Sequence, residues 1–177
     1  TFSVLAFCTN VQSELVNDRN KGVNEKPNIL FILSDEHRYP FLSCYGNKDV
    51  KTPNIDRIAS QGILYTRAYT TAPQSVPSRA SMLTGRNVLD VEMSRFSAAL
   101  KRKYTVFPEV LRENGYFTGI CGRSYHLDGS SAKAKETQDV FDAYGLQTFH
   151  ERVDYLKMGE DSVVIDLFRE FLSLVPD

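Results

Sequence analysis

Three stretches of this chain carry side chains suited to chemistry. The densest is Ser75-Val76-Pro77-Ser78-Arg79-Ala80-Ser81-Met82-Leu83-Thr84-Gly85-Arg86. It reads as a loop running into a short helix. Pro77 suits a first helical turn, where its missing N–H has no partner to lose. Met82 and Leu83 supply an apolar face, and Gly85 is a C-terminal stop. Ser75 is then expected just ahead of the helix N-terminus, where free N–H groups and the dipole favour an anion. Arg79, one helical step on, can reach back to an oxyanion with a forked pair of donors. The plain alternative is an N-cap serine beside a surface arginine.

The second stretch is Ile29-Leu30-Phe31-Ile32-Leu33-Ser34-Asp35-Glu36-His37-Arg38. A continuous apolar run closed by charge is the pattern of a strand buried on both faces of a parallel sheet. Acidic residues at the carboxyl end of such a strand lie where open α/β sheets bind ligands. Asp35 offers a hard oxygen donor of the kind that suits calcium or magnesium. Alone, it could equally cap the next turn. The third stretch is Gly122-Arg123-Ser124-Tyr125-His126, just past the strand-like run Tyr116–Gly122. A cation and an imidazole there fall on the same ligand side, or are a surface arginine and a loop histidine.

The complete run S-x-P-S-R-x-x-x-L-T-G-R resembles the signature of the sulfatase family. There a Cys or Ser at the first position is oxidised to formylglycine (3-oxoalanine), which implies that Ser75 is the modified, catalytic residue. The acidic strand end resembles the family's metal-binding pair. Asp35 matches the first position and Glu36 stands where many members carry a second Asp, so the resemblance implies Asp35, Glu36 and Ser75 around Ca2+ or Mg2+. Thr52-Pro53-Asn54-Ile55-Asp56-Arg57-Ile58-Ala59, ending at Gly62, recurs in the family as scaffold. The stretch from Gly115 through Leu127 resembles the run G-Y-x-T-x-x-x-G-K-x-H-L-G. Arg123 takes the place of the lysine, and one extra residue separates it from His126. By resemblance Arg123 binds sulfate, and His126 binds it or acts on the leaving oxygen.

The implied chemistry is sulfuric ester hydrolysis. A hydrated aldehyde supplies the oxygen that attacks sulfur, Arg79 and Arg123 stabilise charge on the equatorial oxygens, and His126 serves the leaving group. A serine precursor implies an anaerobic radical maturase as partner, and a sulfated carbohydrate or small sulfate ester as substrate. Two rivals share these residues: a phosphoesterase or phosphonate monoester hydrolase of the same superfamily, and a non-catalytic glycan-binding relative.

The elements that must position these groups alternate as strand, helix and strand, which argues for an α/β sheet. The resemblance implies the N-terminal part of an alkaline phosphatase-like sandwich, with a mostly parallel central sheet flanked by helices. Thr52 is expected to cap a helix ending at Gly62, with Ile55, Ile58 and Ala59 facing inward. Ile63–Tyr69 reads as extended, Phe107–Gly115 as a short helix, and Asp161–Leu172 as a helix with an apolar stripe packed on the core. Residues 27–177 are read as an incomplete catalytic domain. Residues 1–26 are read as the remnant of a secretory signal and a linker, which implies export to the periplasm or outer membrane, with Cys8 a candidate lipidation site. Cys121 is expected to be a buried small hydrophobe, and three widely spaced cysteines form no disulfide framework. A net charge of −1 gives no footprint for nucleic acid, and no apolar run is long enough to span a bilayer.

Overall fold

The computed structural model describes residues 2–8, 26–94, 100–122, 152–157 and 159–176. They divide into two units, Thr1–Leu33 with Thr71–Asp177, and Ser34–Thr70.

The larger unit is built on a four-stranded sheet. Its strands are β1 (Phe2–Cys8), β2 (Ile29–Ser34), β3 (Phe117–Gly122) and β4 (Tyr155–Lys157), in the spatial order β2-β1-β3-β4. β3 and β4 pair in parallel, with Gly119 opposite Tyr155. β1 runs antiparallel to β3, with Val4 opposite Cys121. The α/β class is as expected, and β1 is the added feature. A short apolar run reads alike as the tail of a leader or as a strand, and here it fills the place between β2 and β3.

Alternation along β3 assigns its two faces. Ile120 belongs to the core formed with Val76, Ala80 and Leu83 of α2 (Ser75–Thr84), together with Val106, Tyr116 and Val153. Phe107 and Leu111 of α3 (Phe107–Glu113) pack on the same cluster. Cys121 faces the other way, into a core with Tyr155, Val164 and Phe171, the last two on α4 (Val164–Leu174). Helices thus cover the two faces of β3. Local signals act as the sequence suggests. Pro108 opens α3, Glu109 accepts the Val106 N–H at 3.0 Å as a returning cap, and Gly115 leaves with φ +82°.

Burial of β2 departs from the expectation of two covered faces. Phe31 and Leu33 pack on the α2 core, whereas Leu30 and Ile32 on the alternate face are 52% and 56% exposed. The cause is cover: the second core, formed with Cys121, Tyr155, Val164 and Phe171, includes no β2 residue, so that face of the edge strand is left open among the described residues.

The smaller unit, Ser34–Thr70, holds two short 3-10 turns and α1 (Pro53–Gln61). Gly46 closes the second turn at φ +95°, and Asn47 accepts the N–H groups of Asp49 and Val50. Thr52 does not cap α1 with its side chain. Its hydroxyl is engaged by Ser43 Oγ at 2.7 Å and Asp56 at 3.2 Å, and Ser43 Oγ also donates to Asp56 at 2.6 Å. Three oxygen-bearing side chains therefore pin the turn to the helix. The expected inner face of α1 is not an inner face: Ile55 and Ile58 are exposed and Ala59 only half-buried. Residues 63–69 form no strand and are exposed throughout.

β3 and α4 approach closely at Gly119. A Cβ at Gly119 would lie 2.4 Å from the Phe171 ring. That ring is fully buried, stacked on Phe117 and Phe168 at centroid separations of 5.5 and 6.3 Å, so it has nowhere to retreat. Gly119→Ala is expected to destabilise the fold by about 1–3 kcal/mol through overpacking. A urea titration that leaves the midpoint unchanged would contradict this packing.

Candidate active site

Ser75 is the first residue of α2, one position further into the helix than the sequence suggested. The N-cap is Gln74, extended at φ −133° and without a side-chain capping bond. No acidic residue occupies the first turn, so nothing there offsets the positive end of the helix dipole. At the other end Gly85 takes φ +65° and stops the helix, and Thr84 Oγ1 donates to the Ala80 carbonyl at 2.8 Å.

The helix is held by its apolar side. Val76 and Ala80 are fully buried and Leu83 is 1% exposed. Arg79 lies four residues after Ser75, the spacing that makes side chains neighbours along a helix. Its side chain is 5% exposed, so the guanidinium belongs to the interior rather than the surface. The structure therefore brings Ser75 and Arg79 together on one anchored helix. Two oxygen-rich stretches flank it. Thr71 Oγ1 donates to Ser81 Oγ at 2.9 Å, and Ser81 Oγ donates to the Arg86 carbonyl at 2.5 Å. Ser81 stands inside the quoted run at a position that reads as filler, and nothing in its residue type singles it out.

Asp35 follows directly on β2 and is half-buried in the smaller unit. Glu36 takes φ +57°, in the left-handed region. For a residue with a side chain this costs about 1 kcal/mol or more, and such positions cluster at functional sites. An Asn or Gly would have signalled the turn in the sequence, and Glu does not. Asp35 and Glu36 are hard oxygen donors of the right chemistry for calcium or magnesium, but calcium takes about 6–8 oxygens. Among the described residues no group of three His, Cys, Asp or Glu side chains is assembled to hold a metal. The acidic pair fits the expected ion in kind, and two carboxylates would fill only part of its shell. Arg123 and His126 lie outside the described residues.

Beyond α2 the chain turns through residues 88–92, where Glu92 is left-handed at φ +59°. Its carboxylate takes Lys101, Lys103 at 3.0 Å and the Tyr104 hydroxyl at 3.0 Å. The hydrogen bonds from Lys101, Lys103 and Tyr104 hold the Glu92 carboxyl down at about 2, and Glu92 in turn raises Lys103. The basic run Lys101-Arg102-Lys103 is thus largely neutralised, since Arg102 pairs with the buried Glu109. Burial pushes the Cys121 thiol up to about 12, so it remains a protonated core residue at neutral pH.

Residues 27–176 match the family model described as Sulfatase. The N-acetylglucosamine-6-O-sulfatase of Bacteroides thetaiotaomicron is 34% identical over 152 residues, covering 85% of this chain and 24% of that protein. The N-acetylgalactosamine-6-O-sulfatase of the same organism is 34% identical over 128 residues, 70% of this chain and 25% of its own length. The ulvan-active sulfatase of Formosa agariphila is 35% identical over 137 residues, 75% of this chain and 26% of its own. No solved structure matches. The chain belongs to the sulfatase family. It spans about a quarter of the length of these curated relatives.

The Glu92 clasp gives a signed pH dependence. A carboxyl lowered from 4.5 to about 2 stabilises the folded chain when ionised. That contribution is complete above pH 4.5 and is lost as pH falls toward 2. Glu92→Gln is expected to melt below the wild type at neutral pH, with the gap closing between pH 4.5 and 2. A gap that is constant across this range would exclude the clasp as its source.

Proposed function

We propose that the protein carrying this chain hydrolyses the sulfate ester of a sulfated carbohydrate, with Ser75 as the reacting position after oxidation to formylglycine. The observation that carries this reading is the family match over residues 27–176 with the run Ser75–Arg86 intact and Ser75 opening a firmly packed helix. The substrate class draws support from the names of three relatives, two acting on N-acetylhexosamine 6-O-sulfates and one on ulvan.

In this reading each residue has a task. The N-terminal end of α2 and the buried Arg79 draw the anionic sulfate group of the ester toward position 75 and fix its orientation. Arg123 adds a second fork to the anion, and His126 gives a proton or hydrogen bond to the departing alcohol oxygen. Asp35 and Glu36 hold a calcium or magnesium ion, which when bound neutralises sulfate charge and acidifies an oxygen ligand. Formylglycine, once formed, supplies an electrophilic carbonyl that hydrates to the attacking diol. Conversion of a serine calls for an anaerobic radical maturase as a transient partner. An exported location, periplasmic or at the outer membrane with Cys8 as a possible lipid anchor, is part of the same proposal.

The test uses the protein expressed anaerobically with a maturase. The peptide containing Ser75 is expected to be lighter by two hydrogens, and an unmodified serine from such material sinks the reading. Ser75→Ala should abolish hydrolysis of an aryl sulfate. Arg79→Lys, which keeps the charge but loses the fork, should lower kcat/KM by about 10²-fold, the scale for losing one oriented anion donor. Faster cleavage of an aryl phosphonate than of the sulfate would favour the phosphonate hydrolase. Conversion at Ser75 without either activity would favour a binding role.

A further inference from the structure

We infer that Ser81 is a positioning residue for Ser75, acting through Thr71 as a tether on the segment that enters α2. The inference rests on reading Ser75 as the reacting position.

The need for a tether is local. Residues 71–74 form a bend in which Thr71, Pro73 and Gln74 are exposed and Ala72 is half-buried, and the N-cap Gln74 makes no side-chain bond to the helix it precedes. Helix ends fray unless their orphan groups or their approach are held. The described structure supplies that hold from the side. Thr71 Oγ1 donates to Ser81 Oγ at 2.9 Å, and the Ser81 hydroxyl in turn donates to the Arg86 carbonyl. Ser81 is on α2 itself, six residues after Ser75, and the helix below it is anchored by fully buried Ala80 and by Leu83. One hydroxyl therefore joins the chain entering the helix to the chain leaving it. Because Ser81 donates to Arg86, its oxygen is oriented with lone pairs toward Thr71, so the two bonds reinforce each other. Alanine at position 81 removes both at once and leaves the apolar face of α2 untouched.

The consequence falls on position 75. The path of residues 71–74 sets the direction in which the backbone reaches Ser75, and a small error in that direction displaces the side chain from the anion. Displacement of about 1 Å at a reacting group costs on the order of 10²-fold in rate at most. A partial loosening should cost less, and it should appear in kcat rather than in KM, since Arg79 still binds the anion.

Amide hydrogen exchange of Ala72, Gln74 and Ser75 in the full protein is the direct test. It should quicken by about tenfold in Ser81→Ala and in Thr71→Val, the scale of one lost hydrogen bond. The double variant should exchange no faster than either single one, and Ser81→Thr should restore protection. In aryl sulfate hydrolysis, kcat per converted Ser75 should fall about fivefold in Ser81→Ala, a loss well inside the ceiling for misplacement, with KM within twofold. Exchange that stays slow in both single variants overturns the tether. Faster exchange with unchanged kcat per converted site overturns the positioning role. An unconverted, inactive wild type removes the sulfatase reading instead, and the exchange experiment still decides the tether.

Discussion

The structure depends on the packing of one helix face. Val76, Ala80 and Leu83 enter the same core as Ile120 of β3, and this contact holds α2 against the sheet. A helix of ten residues is too short to persist on intrinsic propensity alone. Burial of three apolar side chains, each worth on the order of 1–3 kcal/mol, keeps it in place. Since Ser75 and Arg79 are fixed points on that helix, the precision of the site is inherited from the core. Candidate site residues and buried packing residues alternate within a single run of sequence.

This arrangement explains why the placement of the candidate residues could be read before the fold. Ser75 and Arg79 are four positions apart, and helical geometry alone makes them neighbours. Gly85 at φ +65° and Gly115 at φ +82° stop their helices where residue type says they should. β3 is buried on both sides because α2 and α4 cover its faces, and its apolar run announces that. What was not legible is non-local. Leu30 and Ile32 look like core residues, yet their face of β2 lies outside the second core, and which face is covered is decided by tertiary packing rather than composition. Phe2–Cys8 has the character of a leader and of a strand at once. Thr52 has the side chain of an N-cap, but Ser43, nine residues earlier, competes successfully for it.

The family assignment adds a constraint of its own. Residues 27–176 match the family model, and the matched stretch is about a quarter of the length of the curated relatives. The acidic pair at Asp35 and Glu36 and the helix bearing Ser75 stand on separate elements joined by about forty residues. Strain at Glu36 and at Glu92, both left-handed without being glycine, marks two turns where side-chain bonding or function outweighs backbone preference.

The aromatic cluster under α4 also makes the protein legible to light. The chain has nine tyrosines and no tryptophan, so phenol rings dominate its near-ultraviolet absorption. Tyr155 is buried beside Phe171 and donates its hydroxyl to the Leu167 carbonyl. Burial, reinforced by Glu170, pushes its phenol up to about 12. In an alkaline spectrophotometric titration it should stay colourless in the phenolate band well past the ordinary tyrosine range. The late fraction of that signal is a built-in gauge of whether α4 remains seated on the sheet.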